Sequence, residues 1–166
     1  KVRHFGVSNQ NPMMMELLKT AVKQPLKVNQ LQLSAAFTPS FEAGFHVNME
    51  GPKAAVRDGS VFEYCRLTDT VIQAWSVLQH GFFKGNFVGK EEFAALNHVL
   101  NDLAKKYQVT PTAIALAWVL RYPGKMQAVI GTTKPQHVLE AGKAADVTLT
   151  RKEWYQVYLA AGNDLP

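Results

Sequence analysis

Apolar positions along the chain follow two alternating periods. Short runs rich in β-branched and aromatic residues occur at 2–7 (VRHFGV), 28–31 (VNQL), 71–75 (VIQAW) and 126–130 (MQAVI), and each predicts a strand. Between them the apolar spacing lengthens to three and four residues, the signature of an amphipathic helix. Asn11-Pro12 supplies an N-cap and a first-turn proline for a helix running to about Lys23, with Leu17, Leu18, Ala21 and Val22 on one face. A short helix is predicted over 61–67. Phe93, Leu96, Leu100, Leu103 and Tyr107 mark a longer one over 91–107. Thr110-Pro111 starts the next helix, which is apolar nearly all round (Ile114, Leu116, Trp118, Val119, Leu120) and is therefore expected to be buried. Pro135 opens a helix to about Ala145, and Thr150 with Glu153 forms a capping box ahead of Trp154, Val157, Tyr158 and Ala161.

Two stretches break this rhythm. Residues 32–60 carry Pro39, Gly44, Gly51, Pro52 and Gly59, and residues 77–90 carry Gly81, Gly85 and Gly89. Both predict long loops, which are often functional. In the first, Phe37, Phe41, Phe45 and His46 are expected to shape an opening or simply to pack down. In the second, Phe82, Phe83 and Phe87 are expected to fold over a ligand as a clasp.

Four strands, each followed by at least one helix, predict an α/β fold with a parallel sheet. Two architectures fit: an open doubly wound sheet, or a partial (β/α)8 TIM barrel of about four β-α units plus a C-terminal helix. Four units make about half a barrel, since a whole one takes roughly 250 residues. No shift in composition divides the chain, so residues 1–166 are expected to form a single domain.

Composition narrows the function classes. The 166 residues are 47% hydrophobic and 19% charged, which excludes a disordered chain. The single Cys65 excludes an internal disulfide framework. The most continuous apolar run, 113–120, falls far short of the roughly 20 residues a bilayer requires, so no membrane association is expected. The opening Lys1-Val2-Arg3-His4 is not a secretion signal, and a cytoplasmic setting is expected; with no initiator Met, the sequence reads as a piece of a longer chain. The net charge of +5 favours an anionic partner such as a phosphorylated cofactor. The basic residues are scattered, with Lys105-Lys106 the densest cluster, so nucleic-acid binding is not expected.

In both architectures ligands bind at the carboxyl ends of the strands. That rule selects Ser8 and Asn9, then Gln30, then Trp75, Ser76, Val77 and Leu78, then Gly131, Thr132, Thr133 and Lys134. These groups hydrogen-bond, stack and hold phosphate, which describes a binding site rather than acid–base machinery. The turn 131–134 running into Pro135 builds an anion site at a helix N-terminus. Plainer roles stay open: Ser8-Asn9 as a helix cap, Gln30 as a partner for backbone groups, Trp75 as core. Catalytic templates fail. The segment Gly6-Val7-Ser8-Asn9-Gln10 lacks the second glycine of a nucleophile elbow, and Cys65 has no nearby His. The five His residues lack metal-ligand spacing, and the glycines of 81–89 form no P-loop.

KVRHFGVSN (1–9) resembles the fifth barrel strand of aldo-keto reductases, and VNQ (28–30), VIQAWSVL (71–78) and AVIGTTKP (128–135) resemble strands six, seven and eight with the cofactor loop. TPTAIALAW (110–118) is similar to the family's buried helix. The resemblance implies the C-terminal half of a (β/α)8 oxidoreductase with a nicotinamide cofactor, usually NADPH, with NADH still open. It places Ser8, Asn9 and Gln30 on the nicotinamide carboxamide and stacks Trp75 on the ring. It sets the backbone of Ser76, Val77 and Leu78 against the pyrophosphate, Gly131, Thr132, Thr133 and Lys134 around the adenosine ribose and phosphate, and Glu140 at the adenine. His137 stands where the family usually has an Arg, and Ala141 where it often has an Asn.

The family's catalytic Asp, Tyr, Lys and His lie on strands one to four, so this chain is expected to hold no catalytic residue. Its one Asp-x4-Tyr spacing, Asp102 to Tyr107, falls mid-helix. The implied activity is NAD(P)H-dependent reduction of an aldehyde or ketone, with this chain supplying the cofactor-binding half and inactive alone. The alternative is a non-catalytic dinucleotide-binding module or an inert fragment. Half a barrel exposes two sheet edges and an inward apolar face, so pairing with the missing half-barrel or with a second copy is expected.

Overall fold

The computed structural model describes residues 2–45, 61–81 and 84–165, with backbone alone at 43–45. Four strands, β1 (Phe5–Ser8), β2 (Leu26–Gln32), β3 (Val71–Trp75) and β4 (Met126–Ala128), lie side by side in chain order, and every neighbouring pair is parallel. A doubly wound sheet reverses its strand order at a switch point. An unreversed order of β-α units is an arc of a (β/α)8 barrel, which settles the choice between the two predicted architectures. Gly6 allows β1 to approach β2, because a Cβ there would sit 2.9 Å from Val28 Cβ.

Seven helices accompany the sheet among the described residues: α1 (Pro12–Ala21), α2 (Pro39–Phe45), α3 (Val61–Leu67), α4 (Ala94–Tyr107), α5 (Pro111–Leu120), α6 (Pro135–Gly142) and α7 (Arg151–Ala160). The cap signals act as predicted. Asn11 Oδ1 accepts from Met14 N at 2.9 Å, Thr110 Oγ1 accepts from Ala113 N at 3.2 Å, and Thr150 with Glu153 closes a capping box. Some boundaries shift. Helix α1 stops at Ala21, where Val22 turns extended ahead of Pro25, and α6 tightens after Gly142 into a 3-10 turn, Lys143–Asp146. The predicted strand 2–7 forms only at 5–8, and that predicted at 126–130 is regular only to Ala128, although Val129 N still donates to Ala74 O at 2.8 Å.

The core lies on the helix-covered face. Alternation puts Leu31, Ile72 and Ala74 there, under α5, which is buried from Ala113 to Val119. Trp118 and Trp154 stack at 4.8 Å between centroids, and each indole N–H donates to the other's carbonyl at 3.0 Å, joining α5 to α7. The first long loop is not all loop: Thr38-Pro39 starts α2, and the Thr38 hydroxyl donates to Glu42. Phe41 is buried among Phe62, Trp118, Tyr122, Trp154 and Tyr158, so it is core rather than the rim of an opening. Phe87 is likewise buried, edge-on to Phe93, which corrects its assignment to a clasp. The side chain of Phe45, and all of His46, Phe82 and Phe83, lie outside the described residues.

The opposite face differs from the expected apolar one. Register aligns Ser8, Gln30, Gln73 and Gln127 across all four strands. Gln30 Nε2 donates to Gln73 Oε1 at 3.3 Å, and Gln73 Nε2 donates to Gln127 Oε1 at 2.9 Å. Amides satisfied by one another in a row tolerate both water and burial, so this face is a polar ladder flanked by Val28, Val71 and Val129.

Candidate functional site

The carboxyl end of the sheet opens into a cleft of about 530 Å³, within the range of small-molecule sites. Its floor is the end of β3 and the segment after it, Trp75, Ser76, Val77 and Leu78. Its far wall is Gly131 and Thr132 after β4, with His137 and Glu140 on α6. Eight of the thirteen residues singled out in the sequence therefore meet in one cavity. Strand ends place the first six, since β3 and β4 are adjacent and parallel. One turn of α6 brings His137 and Glu140 to the same side.

The other five lie beside the cleft. Asn9 is linked directly to it, because Trp75 Nε1 donates to Asn9 Oδ1 at 3.4 Å. Ser8 and Gln30 sit in the polar ladder: Ser8 Oγ donates to Gln30 O at 3.1 Å, and the Gln30 amide is held by Gln73. Thr133 and Lys134 do not line the cavity. Lys134 is the N-cap of α6, with its backbone N–H donated to Thr132 Oγ1 at 3.3 Å.

Two strand ends turn through left-handed backbone, Asn9 at φ 53° and Ser76 at φ 52°. Asn tolerates this region, whereas for Ser it costs about 1–2 kcal/mol. Ser76 holds the conformation because the chain beyond it is tied back: Gln79 N donates to Ser76 O at 2.8 Å, and Gln79 bridges Asn86. The turn thus folds segment 76–79 across the cleft floor.

The structure also adds residues that the motifs did not reveal. Gln79, Asn86, Thr112 and Leu116 line the cavity. The Gln79 Oε1 atom is buried with no hydrogen-bond partner among the described residues, an acceptor available to a hydroxyl or amide donor. The first turn of α6 carries no acidic residue and its N-cap side chain makes no cap bond, which leaves the helix terminus suited to an anion. An open strand-end floor with an aromatic ring, a free acceptor and an anion-compatible helix terminus fit a flat, polar, phosphorylated ligand such as a nicotinamide dinucleotide. Among the described residues no group of three His, Cys, Asp or Glu side chains could hold a metal, and no helix is long and apolar enough to cross a membrane. Asp102 faces His98 and Lys105 on the exposed side of α4, while the Tyr107 hydroxyl meets Glu153 and Thr148 O, so that pair forms no site.

The fold and cleft define a partial (β/α)8 barrel with a strand-end ligand site. The chain belongs to the aldo/keto reductase family, whose family model matches residues 1–159. It is 32% identical over 167 residues to a 6-dehydroglucose reductase of Agrobacterium fabrum, covering 99% of this chain and 49% of that protein. It is 29% identical to the oxidoreductase YdhF of Escherichia coli, covering 100% of this chain and 50% of that protein. Among solved structures, the thermostable aldo-keto reductase Tm1743 in complex with the inhibitor epalrestat superposes with a TM-score of 0.67 at 20% identity, over 95% of this chain and 48% of that one. An aldo-keto reductase complexed with NADPH, AKR2E5, gives 0.64 at 18% identity, over 95% and 42%. The chain spans about half the length of the curated relatives it matches.

Proposed function

We propose that this chain is the cofactor-binding, C-terminal half of an NAD(P)H-dependent reductase that converts an aldehyde or ketone to an alcohol. The observation that carries the reading is the meeting of Trp75, the 76–78 turn, the Gly131-Thr132 segment and the N-terminus of α6 in one cleft, in a chain of this family. A bound nicotinamide cofactor supplies the hydride. The chain's own groups bind and orient it. The Trp75 indole, held by Asn9, offers a flat face against which an aromatic ring is fixed. Ser8, Asn9 and Gln30 present hydroxyl and amide groups to a carboxamide. The backbone of 76–78 receives the pyrophosphate, and Gln79 Oε1 accepts from a ribose hydroxyl.

Gly131, Thr132, Thr133 and Lys134 surround the adenosine end, with Glu140 at the adenine. NADP(H) is the favoured cofactor, because Lys134 and the first turn of α6 favour an extra phosphate. His137 lacks the fixed fork of donors of an Arg, so NAD(H) is the alternative. The proton donor and its tuning residues belong to strands outside this chain. The open edges of β1 and β4 support pairing with that missing half.

The test is to complete the barrel with the complementary strands of the Agrobacterium fabrum relative and follow NADPH oxidation against aldehydes and ketones. The completed protein is expected to turn over. The chain alone should run at least about 100-fold slower, the usual loss with general acid–base groups. Equal activity of the chain alone, or a folded completed barrel that binds no cofactor, overturns the assignment.

A further inference from the structure

A second cavity lies at the opposite, amino-terminal end of the strands. Three segments meet there: α3 with Glu63 and Arg66, just ahead of β3; the end of α5 with Arg121 and Tyr122, just ahead of β4; and the start of α7 with Arg151 and Trp154. They enclose a pocket of about 300 Å³, at the small end of ligand sites.

Its chemistry is one-sided. Three guanidinium groups face a single carboxylate, and none of the three makes an ion pair among the described residues. Arg121 donates Nε to Leu149 O at 2.8 Å, which fixes the plane of its fork. Arg151 lies over the Tyr155 ring, 5.7 Å from its centroid. All three arginines are exposed, whereas the aromatic walls are buried, Tyr122 and Trp154 each 8% exposed. The Tyr122 hydroxyl hydrogen-bonds Arg66 and Glu63 and is pushed up to about 12, by burial first and then by the charge of Glu63, so it remains protonated. One atom stands out: Glu63 Oε2 is buried and has no hydrogen-bond partner among the described residues. A buried carboxylate oxygen without a donor is costly, and nearby positive charge relieves only part of that cost.

We propose that this pocket binds a small aryl anion carrying a hydroxyl or amino donor, its anionic group among Arg66, Arg121 and Arg151, its ring against the aromatic walls, and its donor on Glu63. Planar forks pair naturally with carboxylate and phosphate. The site is independent of the cofactor cleft, being at the other end of the sheet.

The probes are 4-hydroxybenzoate and benzoate, titrated calorimetrically into the full chain and into variants whose folding is checked by circular dichroism. The hydroxylated probe is expected to bind saturably and about tenfold more tightly than benzoate, as a hydrogen bond to a charged acceptor requires. Glu63→Met should abolish that preference, and Arg151→Ala, an exposed position, should weaken both probes. Added NADPH should leave both affinities unchanged. Absence of saturable binding overturns the proposal. So does binding that persists unchanged in both Arg66→Ala and Arg151→Ala, or a preference for 4-hydroxybenzoate that survives Glu63→Met.

Discussion

Asn97 sits on the apolar side of α4, between Leu96 and Leu100, and is buried. Its amide nitrogen donates to the carbonyls of Phe87, Lys90 and Phe93 at 3.0–3.1 Å, and its oxygen accepts from Gly89 N at 2.8 Å. One side chain therefore fixes residues 87–90, just ahead of α4. Asn97→Ala strands these backbone groups and should destabilise the chain by about 1–3 kcal/mol. Amide exchange should accelerate at Gly89 and Lys90 while the protection of α5 is retained; uniform acceleration would refute a local role. The signal was present in the sequence as a polar residue on an apolar helical face, but three of its four partners, Phe87, Gly89 and Lys90, lie on a loop whose path no periodicity gives. Gln79 was hidden for the same reason. Trp75 and Gly131 were legible because strand ends alone locate them.

Helix α7 shows what sequence resolves at the next scale and what it does not. Its capping box is written in Thr150 and Glu153, and the structure closes it. The ion pair of Glu153 with Lys106, at 2.5 Å, joins residues 47 positions apart and needs the packing of α4 against α7. Burial alone would raise the Glu153 carboxyl. Hydrogen bonds from Lys106, from the Thr150 backbone and hydroxyl and from Tyr107 outweigh it and bring the pKa down to about 2. A folded value below the ordinary 4.5 means that this anchoring is complete above about pH 4.5 and is lost as pH falls toward 2. Thermal melts between those limits should show a stability loss in the native chain that Glu153→Gln lacks; parallel curves would contradict the assignment. Helix α5 was legible throughout, because an element apolar on every side has only one place to go. Helix α2 was not, because a glycine- and proline-rich surrounding masked its Thr38-Pro39 start.

At the scale of the whole molecule, the strand order carries the main consequence. Among the described residues both edges of the sheet, β1 and β4, are unpaired, and the helices that follow them in the chain carry exposed apolar side chains: Met13 and Leu17 on α1, Val138 and Leu139 on α6. The inner face is a glutamine ladder rather than a bare apolar surface. Parallel β-α patterning made four units legible, but alternation in runs such as VIQAW does not say which face a covering helix takes, and the ladder depends on register across four strands. The central claim is that this half barrel already carries a nicotinamide dinucleotide cradle. It is tested most directly by titrating NADPH and NADH into the chain while following tryptophan fluorescence, with Trp75→Phe as the control. Saturable quenching that disappears in Trp75→Phe, where the buried Trp118 and Trp154 remain, is the predicted result. A folded chain that neither cofactor quenches, or quenching that is the same in the variant, would contradict the account.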